Sequence, residues 1–182
     1  MKHGLETWRL WGQCFDGVLR IKRGASVDGS RLLSDALSGL PAGGLYLNRN
    51  LFAELAEGFG AAGQTAEGLT LINDAIARVE RTEEEWCFAE LLREKGELLL
   101  LRAAPSAVAE AEACFQLALD VARRQDALAW ELRAATSLAR LWHRQHRTSH
   151  GRKLLAAVYR RFTEGFETAD LTAARALLAT LQ

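Results

Sequence analysis

The stretch Glu90-Leu91-Leu92-Arg93-Glu94-Lys95-Gly96-Glu97-Leu98-Leu99 decides the fold when it is read with Ala111, Phe115 and Ala118, which lie beyond a Pro105-Ser106 break. Both halves space their apolar residues by three and four, the signature of one face of an α-helix. Leu92 and Leu99 flank Gly96 on the first half. Ala111 and Ala118 flank Phe115 on the second. A small residue lets two helices approach closely, and large apolar residues one turn away fill the space that remains. One such pair cannot bury its apolar face alone, so neighbouring pairs must stack on it.

Working outward, the same arrangement recurs on both sides. Trp8, Trp11, Gly12 and Phe15 are followed by Gly29, Leu33, Ala36 and Pro41. Phe52, Leu55, Ala56 and Phe59 are followed by Gly68, Ile72 and Ala75. Leu138, Ala139 and Trp142 are followed by Gly151, Leu155 and Val158. The expected small anchors Gly12, Ala56, Gly96 and Ala139 stand 44, 40 and 43 residues apart. This pattern resembles the tetratricopeptide repeat (TPR), W-x2-L-G-x2-Y on the first helix and A-x3-F-x2-A on the second. The resemblance implies an all-α, right-handed superhelix of antiparallel helix pairs, a TPR-like α-solenoid. A single domain over 1–182 is expected, with repeats at about 5–41, 48–80, 83–124 and 127–163. A capping helix is expected at about 168–182, where Leu171, Ala174, Leu177, Leu178 and Leu181 share one side.

Composition agrees. The 182 residues contain only two prolines, and 49% are hydrophobic against 25% charged, a balance that supports a packed helical core. No segment alternates with period two. Lys+Arg and Asp+Glu are both 23, so net charge gives no reason to expect attraction to nucleic acid or membranes. No apolar run reaches the roughly 18 residues of a spanning helix, and residues 1–6 lack the apolar core of a signal peptide. Cys14, Cys87 and Cys114 are odd in number and far apart, which suits a reducing cytoplasm rather than a disulfide framework.

Helix boundaries follow from the breakers. The first helix spans the apolar series Leu5 to Leu19 and breaks at Gly24 to Gly29. The second runs from Ser30 to Ser38 and stops before Pro41. Gly43-Gly44 is a further break. Gly63-Gln64-Thr65 turns the chain between helices at about 48–60 and 66–80. Thr82 with Glu83, Glu84 and Glu85 reads as the cap and acidic first turn of the next helix. Asp126 opens a long helix that ends near Gln145.

The last third also resembles the C-terminal helical-repeat region of large bacterial regulators that join an adenylate-cyclase-type or winged-helix output domain to an AAA/NB-ARC-like ATPase and TPR repeats. The residues that carry this are Glu131-Leu-Arg133-Ala-Ala-Thr-Ser-Leu-Ala-Arg140-Leu-Trp142 and Phe162-Thr-Glu-Gly165-Phe166-Glu-Thr168-Ala-Asp170-Leu171. Neither cyclase metal carboxylates nor an ATPase phosphate loop is present, so those activities do not carry over. The resemblance implies a non-enzymatic sensing or scaffolding segment, either a fragment of such a regulator or a free-standing relative.

Other motifs carry little chemistry. Gly58-Phe-Gly60-Ala-Ala-Gly63 matches G-x-G-x-x-G, but a helix precedes it where a strand is required, and Gln64 replaces the phosphate-loop lysine, so it reads as an inter-helix turn. His143, His146 and His150 have helical spacing but no neighbouring acid or cysteine, so they read as a basic helix end and not as a metal site. Cys14 and Cys114 read as core thiols. No nucleophile lies beside a base, and no cofactor is implied.

The TPR resemblance places the first helix of each pair along a binding groove. It assigns Glu6, Arg9, Gln13 and Asp16 from the first unit and Asn50, Ala53 and Glu57 from the second. It adds Glu90, Arg93 and Glu97 from the third, and Arg133, Thr136, Arg140, His143 and Arg144 from the fourth. Eight basic residues and no acid lie between Leu132 and Thr163. The groove should therefore favour an acidic protein or peptide segment, or an adjacent ATPase or cyclase domain of the same polypeptide. A small-molecule or peptide sensor pocket in the concave face is the second reading. Trp8 and Trp11 lead a helix with nothing before it, which suggests either self-association through that face or inward packing of both rings.

Overall fold

The structure, a computed structural model, describes residues 3–41, 50–82, 85–102 and 104–182. The Gly43-Gly44 break and the acids Glu83 and Glu84 lie outside the described residues. Contacts divide the chain into two compact units, Met1–Glu83 and Glu84–Gln182. Among the described residues every regular element is helical, and none is long and apolar enough to cross a membrane.

The first unit contains α1 (His3–Lys22), α2 (Ser26–Gly39), α3 (Asn50–Ala61) and α4 (Thr65–Thr82). α1 pairs with α2 and α3 with α4, while α3 also packs on both α1 and α2. Its core is Leu10, Cys14, Ile21, Leu33, Leu37, Leu51 and Leu55, with Trp11 and Val18 packed against it from the side. The second unit begins with a 3-10 turn, Glu85–Cys87, and continues with α5 (Phe88–Leu101), α6 (Ala107–Arg124), α7 (Leu128–Arg144), α8 (Thr148–Tyr159) and α9 (Ala169–Thr180). α5 pairs with α6 and α7 with α8, and α7 bridges to both α5 and α6. α9 packs on α7 and α8, the place a first helix of a further pair would take. Phe115, Leu91, Leu98, Leu132, Leu138 and Leu155 are fully buried.

Small residues set the pairing. A Cβ on Gly96 would stand 2.4 Å from the Phe115 ring, and one on Gly151 would stand 3.0 Å from the Ala139 carbonyl oxygen. In the first pair the expected anchor is displaced. Around Gly12 a Cβ would meet nothing within 4 Å, and Trp8 is 75% exposed. The close approach is instead at Gly17 and Gly29, where a Cβ on either would come within 3.0 Å of the other's backbone oxygen. α1 is apolar on two faces, and the face that packs on α2 and α3 carries Leu10, Cys14, Gly17 and Ile21. With Gly17 in place of Gly12 the anchors Gly17, Ala56, Gly96 and Ala139 fall 39, 40 and 43 residues apart.

Four turns share one geometry. Gly24, Gly63, Asp126 and His146 have φ of 88°, 79°, 51° and 62°. In each, the next residue's N–H reaches back five positions: Ala25 to Arg20, Gln64 to Phe59, Ala127 to Ala122 and Arg147 to Trp142, at 2.8 to 2.9 Å. This is the Schellman closure, whose left-handed residue is normally glycine. Asp126 thus closes α6 and does not open α7, and Gly29 lies inside α2. Thr82 ends α4, its hydroxyl donating to the Arg78 carbonyl at 3.0 Å, and does not cap α5.

A polar knot ties α6 to the α7–α8 turn. Glu112 accepts from Trp142 Nε1 at 2.7 Å and from Arg147 Nη1 at 2.7 Å, and Arg147 lies 4.7 Å over the Trp142 ring. Partial burial pushes the Glu112 carboxyl up, but the hydrogen bonds from Trp142, Arg147 and Gln145 outweigh it and hold the group below its ordinary range.

H146G and D126G are each expected to raise unfolding stability by about 1 kcal/mol, because the left-handed conformation costs an L-residue roughly that much. Urea denaturation showing no gain in either would contradict the turn assignment. G96A is expected to lose about 1–3 kcal/mol through overpacking against Phe115. For Glu112 the folded group titrates lower than the unfolded one. Its stabilisation is therefore full above the unfolded carboxylate range and is lost as pH falls through the folded value. The stability gap between the wild type and E112Q should accordingly shrink on acidification, and a pH-independent gap would refute this.

Candidate functional site

In the second unit the residues expected to line a groove do come together. The first helices α5 and α7, with α9 beside them, enclose a hollow of about 140 Å³ lined by Arg93, Glu97, Arg133, Thr136, Ser137, Arg140, Asp170 and Ala173. Arg93 is its floor. Helical spacing puts Glu90, Glu94 and Glu97 around it, three before and one and four after. The Arg93 guanidinium donates to both Glu90 oxygens at 2.9 and 2.8 Å and to Glu94 at 2.7 Å, and it stands 3.7 Å from Glu97. Burial alone would lower the Arg93 pKa, but the surrounding carboxylates outweigh it and raise it further above its ordinary value.

A second row of arginines from α7 meets these acids. Arg133 pairs with Glu90 at 2.7 Å and stands 3.7 Å from Asp170. Arg140 pairs with Glu97 at 3.5 Å, and the Ser137 hydroxyl donates to the same carboxylate at 2.6 Å. Glu90 and Glu97 lie seven residues apart on α5, and Arg133 and Arg140 lie seven apart on α7. Two helical turns therefore align two ion pairs between successive first helices. The hollow's charges face one another: three arginines, Arg93, Arg133 and Arg140, against four carboxylates, Glu90, Glu94, Glu97 and Asp170.

Other expected groove residues lie elsewhere. Thr136 returns its hydroxyl to the Leu132 carbonyl at 2.8 Å. His143 Nδ1 is 3.0 Å from the Thr148 hydroxyl, so the ring turns toward α8, while Arg144 is exposed. In the first unit Glu57 pairs with Lys22 at 2.5 Å, and Lys22 also pairs with Glu54 at 2.7 Å, a tie from α1 to α3. Burial lowers the Lys22 pKa less than Glu54 and Glu57 raise it. Asn50 and Glu57 lie partly buried on α3, and Ala53 is buried there. Glu6, Arg9 and Asp16 form an exposed ridge on α1, and Gln13 sits partly buried within it. α1 packs on α2 and α3 through Leu10, Cys14, Gly17 and Ile21, so these four lie off that packed face.

Four of the eight basic residues between Leu132 and Thr163, namely Arg133, Arg140, Arg147 and Arg161, pair with carboxylates outside that stretch. Arg147 pairs with Glu112 at 2.7 Å, and Arg161 pairs with the buried Glu131, which Arg123 also reaches at 2.9 Å. Sequence reasoning missed a depression of about 700 Å³ on α8 lined by Thr148, Ser149, Arg152, Lys153, Arg160 and the C-terminal Leu181 and Gln182. The pattern of Arg152, Lys153 and Arg160, one helix face apart from the core residues Leu155 and Val158, was the available signal. Gly58 and Gly60 lie within α3 and Gly63 in the turn after it. Gly58 backs onto Ser30 and Ile21. His150 packs edge-on to Trp142 and His146 occupies the left-handed turn. Among the described residues no cluster of His, Cys, Asp or Glu is arranged to hold a metal ion. Burial raises the Cys14 and Cys114 thiol pKa values, which disfavours thiolate formation.

Two solved structures share this architecture. A Podosopora anserina protein described as kinesin light chain-like, with nearly identical TPR-like repeats, superposes with a TM-score of 0.64 at 18% identity, over 96% of this chain and 86% of that one. A point variant of that protein gives a TM-score of 0.65 at 18% identity, over 96% and 85%. Neither a protein-family model nor a curated protein matches the chain. The fold is that of the TPR-like helical repeats, an all-α stack of antiparallel helix pairs.

R93A is expected to cost about 3–5 kcal/mol, because it removes from a buried site the guanidinium that Glu90 and Glu94 share. R93K should recover only part of this, since an ammonium cannot reproduce the bidentate fork. A loss below about 1 kcal/mol in R93A by chemical denaturation would show that the buried cluster does not hold α5.

Proposed function

We propose that the chain is a non-enzymatic protein-interaction segment that receives an acidic, extended stretch of a partner along the first helices of the second unit. Helical-repeat folds suit this task, because stacked first helices offer a continuous surface and side chains at fixed steps select the guest. The observation that carries the reading is the row Arg133–Arg140–Arg144 on α7. Arg133 is largely committed to Glu90 and Asp170. Arg140 is 45% exposed and held only loosely by Glu97 at 3.5 Å, and Arg144 is exposed beyond it. A guest carboxylate can take over Arg140 without breaking a buried pair.

The hollow itself is a poor small-molecule site. About 140 Å³ falls below the several hundred cubic ångströms of ordinary ligand pockets. Its polar groups already satisfy one another, which also argues against a general acid or base poised there. The resemblance of residues 131–171 to the repeat regions of large bacterial regulators supports a place in cytoplasmic signal transduction or transcription control. An adjacent ATPase or cyclase domain of the same polypeptide is then a natural occupant of the groove. The neighbouring coding sequence would show whether such a domain is contiguous.

Fluorescence anisotropy with a labelled, extended Glu/Asp-rich peptide tests the groove. The wild type is expected to bind with strong salt dependence, and R140E/R144E is expected to weaken binding more than about tenfold with unchanged helicity. No binding by the wild type, or equal affinity for the double variant, would refute the assignment.

A further inference from the structure

α1 presents a second apolar face that its own unit leaves uncovered. Leu5, Trp8, Phe15 and Leu19 are 77%, 75%, 55% and 50% exposed, and exposed Gly12 stands among them with open space where its Cβ would be. The positions 5, 8, 12, 15 and 19 follow alternating steps of three and four, a two-heptad seam about 21 Å long. In α3 and α7 the corresponding positions are packed. Counting twelve and five residues back from the left-handed turn residues Gly63 and His146 gives Leu51 and Gly58, then Ala134 and Leu141, and all four are buried. Gly58 backs onto Ser30 of α2.

The charges beside the seam say what fits it. The ridge reads Glu6, Arg9, Gln13, Asp16, Arg20: minus, plus, neutral, minus, plus. Within the helix Glu6 pairs with Arg9 and Asp16 with Arg20, all about half exposed. The string is antisymmetric about Gln13. A copy of α1 laid against it antiparallel sets Glu6 opposite Arg20 of the other copy and Arg9 opposite Asp16, twice over by symmetry. A parallel two-fold copy turns the two ridges to opposite sides of the pair, where they do not meet. The same antiparallel arrangement drops each Phe15 ring onto the other copy's Gly12 and each Trp8 onto the other Leu19, large side chain into gap.

We infer that this face is a homodimer interface, in which α1 pairs antiparallel with α1 of a second copy through Leu5, Trp8, Gly12, Phe15 and Leu19. The symmetry is a closed two-fold, so the contact is self-complementary and does not propagate into filaments. It is independent of what the groove on α7 receives, since no residue is shared.

Sedimentation equilibrium of the whole chain at tens of micromolar tests it. The wild type is expected to be dimeric, and F15E to weaken dimerisation more than about tenfold with unchanged circular dichroism. R9E/R20E makes the ridge wholly acidic and E6K/D16K makes it wholly basic. Each alone should be monomeric, and an equal mixture should restore a heterodimer. The fully exchanged chain E6R/R9E/D16R/R20E should dimerise with itself but not with the wild type. A monomeric wild type, a dimer insensitive to F15E and to the charge variants, or free mixing of the exchanged chain with the wild type would overturn the proposal.

Discussion

Close approach of paired helices at small residues governs the rest of the molecule. Where Gly17 meets Gly29 a single added carbon would run into backbone, at Gly96 it would run into the Phe115 ring, and at Gly151 it would crowd the Ala139 backbone. Dispersion falls off steeply with separation, so these points decide which face of each first helix turns inward. Every other side chain on that helix then has its place assigned. On α5 and α7 the consequence is that Glu90, Arg93 and Glu97 confront Arg133 and Arg140. On α1 it is that Trp8 and Phe15 face outward.

The ion pairs of the second unit are consequences of that register. Buried arginine–carboxylate clusters rarely add net stability over an apolar core, but removal of one member is costly, so they act as selectors of one alignment. A slip of α7 by one turn along α5 would pull Arg133 away from buried Glu90 and Arg140 away from Glu97. The cluster thus fixes the spacing between successive first helices and leaves Arg140 and Arg144 at the open end of the row. The proposed guest takes up the charge that structure does not use.

Much of this was legible in the sequence, for reasons particular residues make plain. Helix pairs could be read because prolines and glycines punctuate a chain with uniform three-and-four apolar spacing. Gly96 and Ala139 could be recognised as anchors because each is a small residue standing among large apolar ones at helical spacing, Leu92 and Leu99 around Gly96 and Leu138 and Trp142 around Ala139. α1 could not be oriented this way. It is apolar on both sides, and Trp8, Gly12 and Phe15 imitate the anchor pattern more closely than Leu10, Cys14 and Gly17 do. The turn near His146 was legible, but the left-handed backbone there and the helix-closing role of Asp126 were hidden, because a left-handed residue is expected to be glycine. The partial neutralisation of the basic stretch was invisible for a different cause. Its acids, Glu90, Glu97, Glu112 and Asp170, come from other helices and in most cases lie thirty or more residues away in the chain.

The register of the first helix is the most direct test of this account, and two alanine substitutions five residues apart isolate it. At Gly12 a Cβ enters open space within the chain, so in the F15E background, which removes the α1–α1 contact, G12A should leave the fold intact and raise the melting temperature through helix propensity worth about 1 kcal/mol. At Gly17 a Cβ would stand 2.8 Å from the Leu33 Cβ, so G17A should lower the melting temperature despite the same gain in propensity. Thermal unfolding in which G17A is neutral or stabilising while G12A is destabilising would contradict the packing of α1 on α2 and everything derived from it.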